Sequence, residues 1–385
     1  MKIILAPDSF KESLSAIEVA RAMGRGVVQA CKGSAPLVLV ELPIADGGEG
    51  TVECLVAATH GRRMTATVTG PLGEPVQAAW GMLGDGRTAV IEMAAASGLP
   101  LVPPERRNPL LTTTYGTGEL ILAALDAGAR RILIGIGGSA TVDGGAGMAQ
   151  AVGVSFRDAD GCEIGRGGGP LDRIAHVSVE RLDPRIAQSD ILIASDVQNP
   201  LTGPEGAAAV FGPQKGATPE QVIMLDRGLH NLAVRLREDL GRDVEFAAGA
   251  GAAGGLGATL MALLGAELRP GIDLVLEATK FDDHLAGADL VLTGEGRLDS
   301  QSLHGKATVG VARRARDAGV PCIVIAGSAA GDAAAFRREG ILDARSLVAD
   351  GVTVAQAMRE ADALVERRTL EACRDFLSRN RAGKE

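Results

Sequence analysis

The stretch GIGGSATVDGGAGMAQA, residues 135–151, holds six glycines, a serine, a threonine and one aspartate directly behind the apolar run RILI. An apolar run of that length bounded by glycine reads as a buried strand, and the bare backbone behind it reads as a turn that must pass close to something. Gly135-Ile136-Gly137-Gly138-Ser139-Ala140 fits GxGxxA after a strand, and Asp158 lies about twenty residues on, in outline the dinucleotide fingerprint. Thr141-Val142-Asp143-Gly144-Gly145 is poor material for the helix that fingerprint demands, so an NAD-dependent oxidoreductase is the second reading rather than the first.

The same punctuation recurs along the chain. KIILA runs into Pro7-Asp8-Ser9-Phe10-Lys11, LVLVELP into Ile44-Ala45-Asp46-Gly47-Gly48-Glu49-Gly50, ILIAS into Asp196, and DLVLTG into Glu295-Gly296-Arg297-Leu298-Asp299. Between these runs lie helical stretches. Ser15 with Glu18 makes a capping box before an apolar stripe of Ile17, Ala20, Met23 and Val27, and residues 307–318 separate the last two apolar runs. Residues 64–93 differ: TATVTG, VQAAWGML and TAVIEM alternate strictly between Gly and Pro turns, as an antiparallel meander does.

These patterns predict an α/β protein of two domains: a Rossmann-like three-layer parallel α/β domain over 1–62 and 276–385, with a mixed α/β domain inserted at 63–275. The length of 385 residues favours two cores over one. With aromatics at 2%, those cores must be filled by Leu, Ile, Val and Ala. The charged stretch 354–379 reads as a covering helix.

Composition narrows the function. Thirty-nine Lys and Arg against 48 Asp and Glu leave a net charge of -9 without a basic block, which points away from nucleic acid. No run of 18 apolar residues exists, and the N-terminal one ends after Ala6, so no membrane span or signal peptide is expected and a cytoplasmic protein is read. Five scattered cysteines without a CxxC pair suggest neither disulfides nor zinc.

In open α/β sheets, ligands bind beyond the carboxyl ends of the strands. Loops there that carry Asp, Glu, Lys, Ser and Gly suit a phosphorylated, metal-bound ligand: glycine lets backbone N–H groups approach phosphate oxygens, and carboxylates suit Mg²⁺. Candidate glycine nests are 47–50, 137–147, 249–257 and 294–296, the third of which also reads as a buried helix. Candidate metal ligands or bases are Asp46, Glu49, Asp143, Asp196, Glu295 and Asp299. A Walker loop is absent.

APDSFKESLSA, PIADGGEGTVE, GIGGSATVDGGAGMAQAVG, SDVQNPLTGPEGAAAVFGPQKGA, GIDLVLE and LTGEGRLDSQSLHGKA together resemble the successive motif blocks of the bacterial glycerate kinase family of the first type, over residues 3 to about 328. Glu12 and Thr308 stand where glycine and proline are expected. The resemblance implies two α/β domains closing over a cleft, and ATP-dependent phosphorylation of D-glycerate in glyoxylate or glucarate catabolism. It implies 2-phosphoglycerate as product, with the 3-phosphate as the alternative. On that basis the catalytic candidates are Lys11, Asp46, Asp196 and Arg297, with Asp196 or Asp46 as proton acceptor. Asp8, Ser9, Ser13 and Lys306 are substrate-binding candidates. Gly47, Gly48, Gly137, Gly138, Ser139, Gly144, Gly145, Gly294 and Gly296 are nucleotide-binding candidates, and Glu49, Asp143, Glu295 and Asp299 are Mg²⁺ ligand candidates. The expected assembly is a monomer or a homodimer.

Overall fold

The computed structural model describes residues 1–32, 36–304 and 307–382. Its strands are β1 (Lys2–Pro7), β2 (Val38–Glu41), β3 (Arg62–Thr69), β4 (Pro75–Met82), β5 (Thr88–Glu92), β6 (Arg131–Gly135), β7 (Ser155–Arg157), β8 (His176–Ser178), β9 (Asp190–Ala194), β10 (Glu267–Arg269), β11 (Leu290–Leu298), β12 (Cys322–Ala329) and β13 (Ile341–Ser346). Two compact units divide the chain. The first comprises Met1–Asp46, Glu53–His60 and Ile272–Glu385, and the second Gly47–Val52 and Gly61–Gly271.

The first unit is a three-layer parallel α/β structure. Its sheet runs β13-β12-β11-β1-β2, with Ile3 in register with Leu290 on one side and Leu39 on the other. Ile3 and Leu5 share a core with Val19 and Met23 of helix Ala16–Ala30 and with Leu364 and Val365 of helix Ala361–Ala382. The capping box read in the sequence closes the first of these helices: the Ser15 side chain accepts from the Glu18 N–H, and Glu18 accepts from the Ser15 N–H at 2.8 Å. Helix Ala307–Asp317 packs on β11 and β12, and Gly310 lies against Ile272. The chain steps from β1 to β2 in one direction and later resumes at β11 on the opposite side of β1. The order therefore reverses between β1 and β11, which opens a crevice at their carboxyl ends.

The second unit carries a mixed sheet, β10-β9-β6-β5-β4-β3. Strands β5, β6, β9 and β10 are parallel, and β3–β5 form the antiparallel meander that alternation predicts. Gly47–Val52 belongs here rather than with the N-terminal strands, unlike the boundary read from the sequence. Packing explains the difference. A side chain on Gly135 would meet the Gly47 carbonyl at 2.2 Å, Gly47 itself lies on Ala194, and the Val52 N–H donates to Glu92 Oε1 at 2.8 Å. Among the described residues no helix is long and apolar enough to cross a membrane.

Candidate active site

Asp8 follows β1 at the reversal point, and its N–H donates to the Gly294 carbonyl of β11 at 2.8 Å. Behind it, Phe10 is buried in the core while its N–H and carbonyl close a tight loop with Leu14. That closure leaves Lys11 and Glu12 exposed at the tip, with Glu12 in the left-handed region at φ 64°. Gly296 of β11 lies beside this loop, where an added Cβ would make ordinary contact with the Lys11 backbone nitrogen at 3.5 Å. A cavity of about 570 Å³ results, whose polar lining includes Asp8, Ser9, Lys11, Glu12, Ser13, Asp46, Glu295 and Arg297.

The electrostatics of this cavity are uneven. Burial, which outweighs the lowering Ser9 N–H at 2.6 Å and Lys11 ammonium, together with the neighbouring charges of Asp46 and Glu295 pushes the Asp8 carboxyl up to about 7. Arg297 is held by Asp299 at 2.9 Å, whose other oxygen accepts the Gln301 N–H at 2.9 Å. Asp299 thus orients the guanidinium. The Ser13 hydroxyl donates to the Met358 carbonyl at 2.9 Å, which commits its proton to the wall of the cavity.

In the second unit, Gly47, Gly48, Gly137, Gly138 and Ser139 gather at the carboxyl end of β6, with Gly48 Cα 3.6 Å from where a Gly137 Cβ would be. Gly137 and Gly138 are exposed, and Gly138 has φ 74°. Asp196 and Glu49 are exposed in the same unit, Asp196 two residues past β9. Beneath the turn lies Lys215, fully buried, whose Nζ donates to Ser139 Oγ and to the Thr141 carbonyl, each at 2.7 Å.

The profile of the glycerate kinase family matches residues 3–377. The chain belongs to the glycerate kinase family. It is 56% identical over 367 residues to the glycerate kinase of Bacillus subtilis (strain 168), covering 95% of each chain. It is 52% identical over 361 residues to the glycerate 2-kinase of Escherichia coli (strain K12), covering 94% of each. A solved structure from Salmonella typhimurium LT2, described as a glycerate kinase 2, superposes with a TM-score of 0.90 at 49% identity over 99% of both chains.

For this member of the glycerate kinase family, several residues read as ligand-facing lie elsewhere. Asp143 is completely buried, and its oxygens accept from the Thr114 N–H (2.7 Å), the Thr114 hydroxyl (2.8 Å), the Gly145 N–H (3.1 Å) and the Gly147 N–H (3.3 Å). A carboxylate so engaged is a core anchor, which corrects its reading as a Mg²⁺ ligand; burial nonetheless raises its pKa. Gly144 and Gly145 are corrected likewise. Side chains there would strike Leu232 at 2.5 Å and Thr259 at 1.9 Å, so both glycines serve packing. Gly294 is a strand residue whose Cβ would lie 2.3 Å from the Ile325 carbonyl. In the 249–257 run, a left-handed stretch at Ala253, Gly254 and Gly255 precedes the regular part of helix Ala252–Leu264, because Gly254 passes within contact of the Thr141 carbonyl. The GxGxxA turn is followed by irregular chain until helix Ala146–Ala151, so the dinucleotide fingerprint is not built. Lys306 lies outside the described residues.

Sequence reasoning missed Lys215 and the apolar part of the cavity lining, formed by Leu347, Val348, Val354, Ala357 and Met358. A lone lysine between Gly212 and Gly216, directly after the small and apolar run of residues 206–213 and Gln214, was the available signal for the first. Among the described residues, no group of three or more His, Cys, Asp or Glu is placed to hold a metal ion. Magnesium commonly takes only one or two protein carboxylates together with phosphate oxygens and water, and Asp8, Asp46 and Glu295 supply carboxylates of that kind in the first unit's cavity.

Proposed function

We propose that this chain transfers the γ-phosphoryl group of ATP to the 2-hydroxyl of D-glycerate. Near-complete coverage of relatives named glycerate kinase and glycerate 2-kinase supports the substrate and the position. The observation that carries the reading is the first unit's cavity, where two cations, Lys11 and Arg297, and four carboxylates, Asp8, Glu12, Asp46 and Glu295, converge at a topological reversal. Phosphoryl transfer asks for positioning and charge neutralisation rather than covalent chemistry, and this is the residue set that provides them.

Lys11 and Arg297 hold the glycerate carboxylate and offset the charge of the transferring group, Arg297 pre-oriented by Asp299. Asp8 accepts the proton of the attacking hydroxyl, since a carboxyl poised near neutrality is suited to that exchange, with Asp46 beside it as the alternative acceptor. Ser9 lies next to Asp8 and hydrogen-bonds the acceptor. Bound Mg²⁺ would offset negative charge on the phosphates. Glu295 and Asp46 are the carboxylates proposed to reach it. In the second unit, the exposed Gly137–Gly138 turn with Ser139 offers N–H and O–H donors to phosphate oxygens, and Asp196 and Glu49 are the accessible carboxylates. The cytoplasm is the proposed compartment. Steady-state ADP release by Lys11→Met and Asp8→Asn tests these roles: both are expected to lose most of the D-glycerate-dependent rate, and an unaltered rate in either removes that residue from the mechanism.

A further inference from the structure

The cavity of the first unit is larger than its proposed acceptor needs. A three-carbon acid has the bulk of a few water volumes of about 30 Å³ each, roughly a fifth of the 570 Å³ present. Besides the charged residues, the lining includes five apolar ones, Leu347, Val348, Val354, Ala357 and Met358, and two of these are exposed in a way that burial of the core does not explain: Val354 is 60% and Met358 42% exposed.

This apolar lining is rigidly built. The Leu347 N–H donates to the Ala326 carbonyl at 2.8 Å and the Val348 N–H to the Gly327 carbonyl at 3.1 Å, so the segment after β13 continues the sheet. Helix Val354–Arg359 is seated by buried Ala357, by the Thr353 side chain accepting the Gln356 N–H at 3.2 Å, and by the Ser13 hydroxyl bound to the Met358 carbonyl. An apolar surface fixed at the mouth of a charged cavity suits a ligand with a flat apolar part joined to an anionic part. Aliphatic side chains can sandwich an aromatic ring, and a methionine thioether adapts to its edge.

We infer that Leu347, Val348, Val354, Ala357 and Met358 form the subsite for the purine ring of the nucleotide, with the phosphate chain directed toward Lys11 and Arg297. The inference rests on the kinase reading and extends it to the location of the base. It assigns the base of the nucleotide to the first unit's cavity, and it gives helix Val354–Arg359, the start of the stretch 354–379 that the sequence suggests only covers the sheet, a part in binding.

The test is equilibrium binding of ATP and of inorganic tripolyphosphate to the full-length chain and to Val354→Asp and Met358→Asp, together with KM for both substrates. Both positions are exposed, so the variants are expected to fold, and an unchanged melting temperature confirms it. The expected result is ATP affinity weakened tenfold or more in each variant, tripolyphosphate affinity unchanged, and KM for D-glycerate unchanged. ATP affinity unaltered in both variants, an equal loss of tripolyphosphate binding, or a shift confined to the KM for D-glycerate overturns the inference and leaves the kinase reading standing. Failure of the unaltered chain to bind ATP overturns both.

Discussion

Lys215 Nζ donates to Ser139 Oγ at 2.7 Å from a position with almost no solvent access, across 76 residues of sequence. An ammonium has no acceptor, so Ser139 must accept, and its own proton is left to point away from the lysine. The second bond, to the Thr141 carbonyl, fixes the far side of the same turn. Lys215 therefore holds the Gly137–Ser139 turn from beneath, and burial lowers its pKa from 10.5 to about 7 against the raising effect of Asp143.

The unfolded chain binds a proton at Lys215 up to about pH 10.5, whereas the folded chain releases it near 7. Stability from this group therefore rises as pH increases through that window and is absent as a benefit below it. Lys215→Met is expected to flatten the rise, seen as melting temperatures at pH 7 and 9.5 that differ less than in the unaltered protein.

Asp8 carries the opposite sign. Its folded pKa is raised from 3.8 to about 7, so stability falls as pH rises between those values, and the full penalty is present above 7. Asp8→Asn should match the parent near pH 4 and exceed its melting temperature at pH 8, while losing activity at both. Stability gained without loss of turnover would remove Asp8 from the chemistry.

Asp143→Ala strips an acceptor from four buried donors. A cost of roughly 3 kcal/mol or more is expected in denaturant unfolding. The Mg²⁺ dependence of the remaining activity should not move, in contrast to the loss of a metal ligand.

Glu12 holds φ 64° at an exposed loop tip, where a Cβ is unfavourable. Glu12→Gly is expected to stabilise by about 0.5–1 kcal/mol after the entropy of glycine is allowed for, with kcat/KM little changed. Chemical denaturation reads the first and steady-state kinetics the second.

Removing one charged hydrogen-bond partner of the substrate costs about 1.5–3 kcal/mol, a ten- to hundredfold loss in kcat/KM. Arg297→Met should fall in that range, and Asp299→Asn, which frees the guanidinium without removing it, should fall short of it.

The features legible in the sequence are those whose cause is local. The apolar runs before Asp8, Asp46 and Glu295 mark strands, although β11 runs on through Glu295 to Leu298 and β2 ends at Glu41, and strict alternation marks β3 to β5, because side-chain period is a property of neighbouring residues. Asp143 was misread for the opposite reason: its polarity suggests a ligand-facing group, but the donors that satisfy it belong partly to Thr114, 29 residues away. Lys215 escaped notice because its partners are equally remote. Val354 and Met358 escaped because the stretch 354–379 reads as one charged covering helix, whereas the structure breaks it into helix Val354–Arg359 and helix Ala361–Ala382. The glycines divide in the same way, since Gly137 and Gly145 look alike in sequence and only packing places one outside and the other against Thr259.

The most direct test of the account is phosphorus NMR of the product formed from ATP, Mg²⁺ and D-glycerate, with L-glycerate and no acceptor run alongside. Turnover is expected on D-glycerate alone, with the phosphorus coupled to the single proton at carbon 2. Coupling to the two protons at carbon 3, or the absence of any phosphorylated product from D-glycerate, would contradict it.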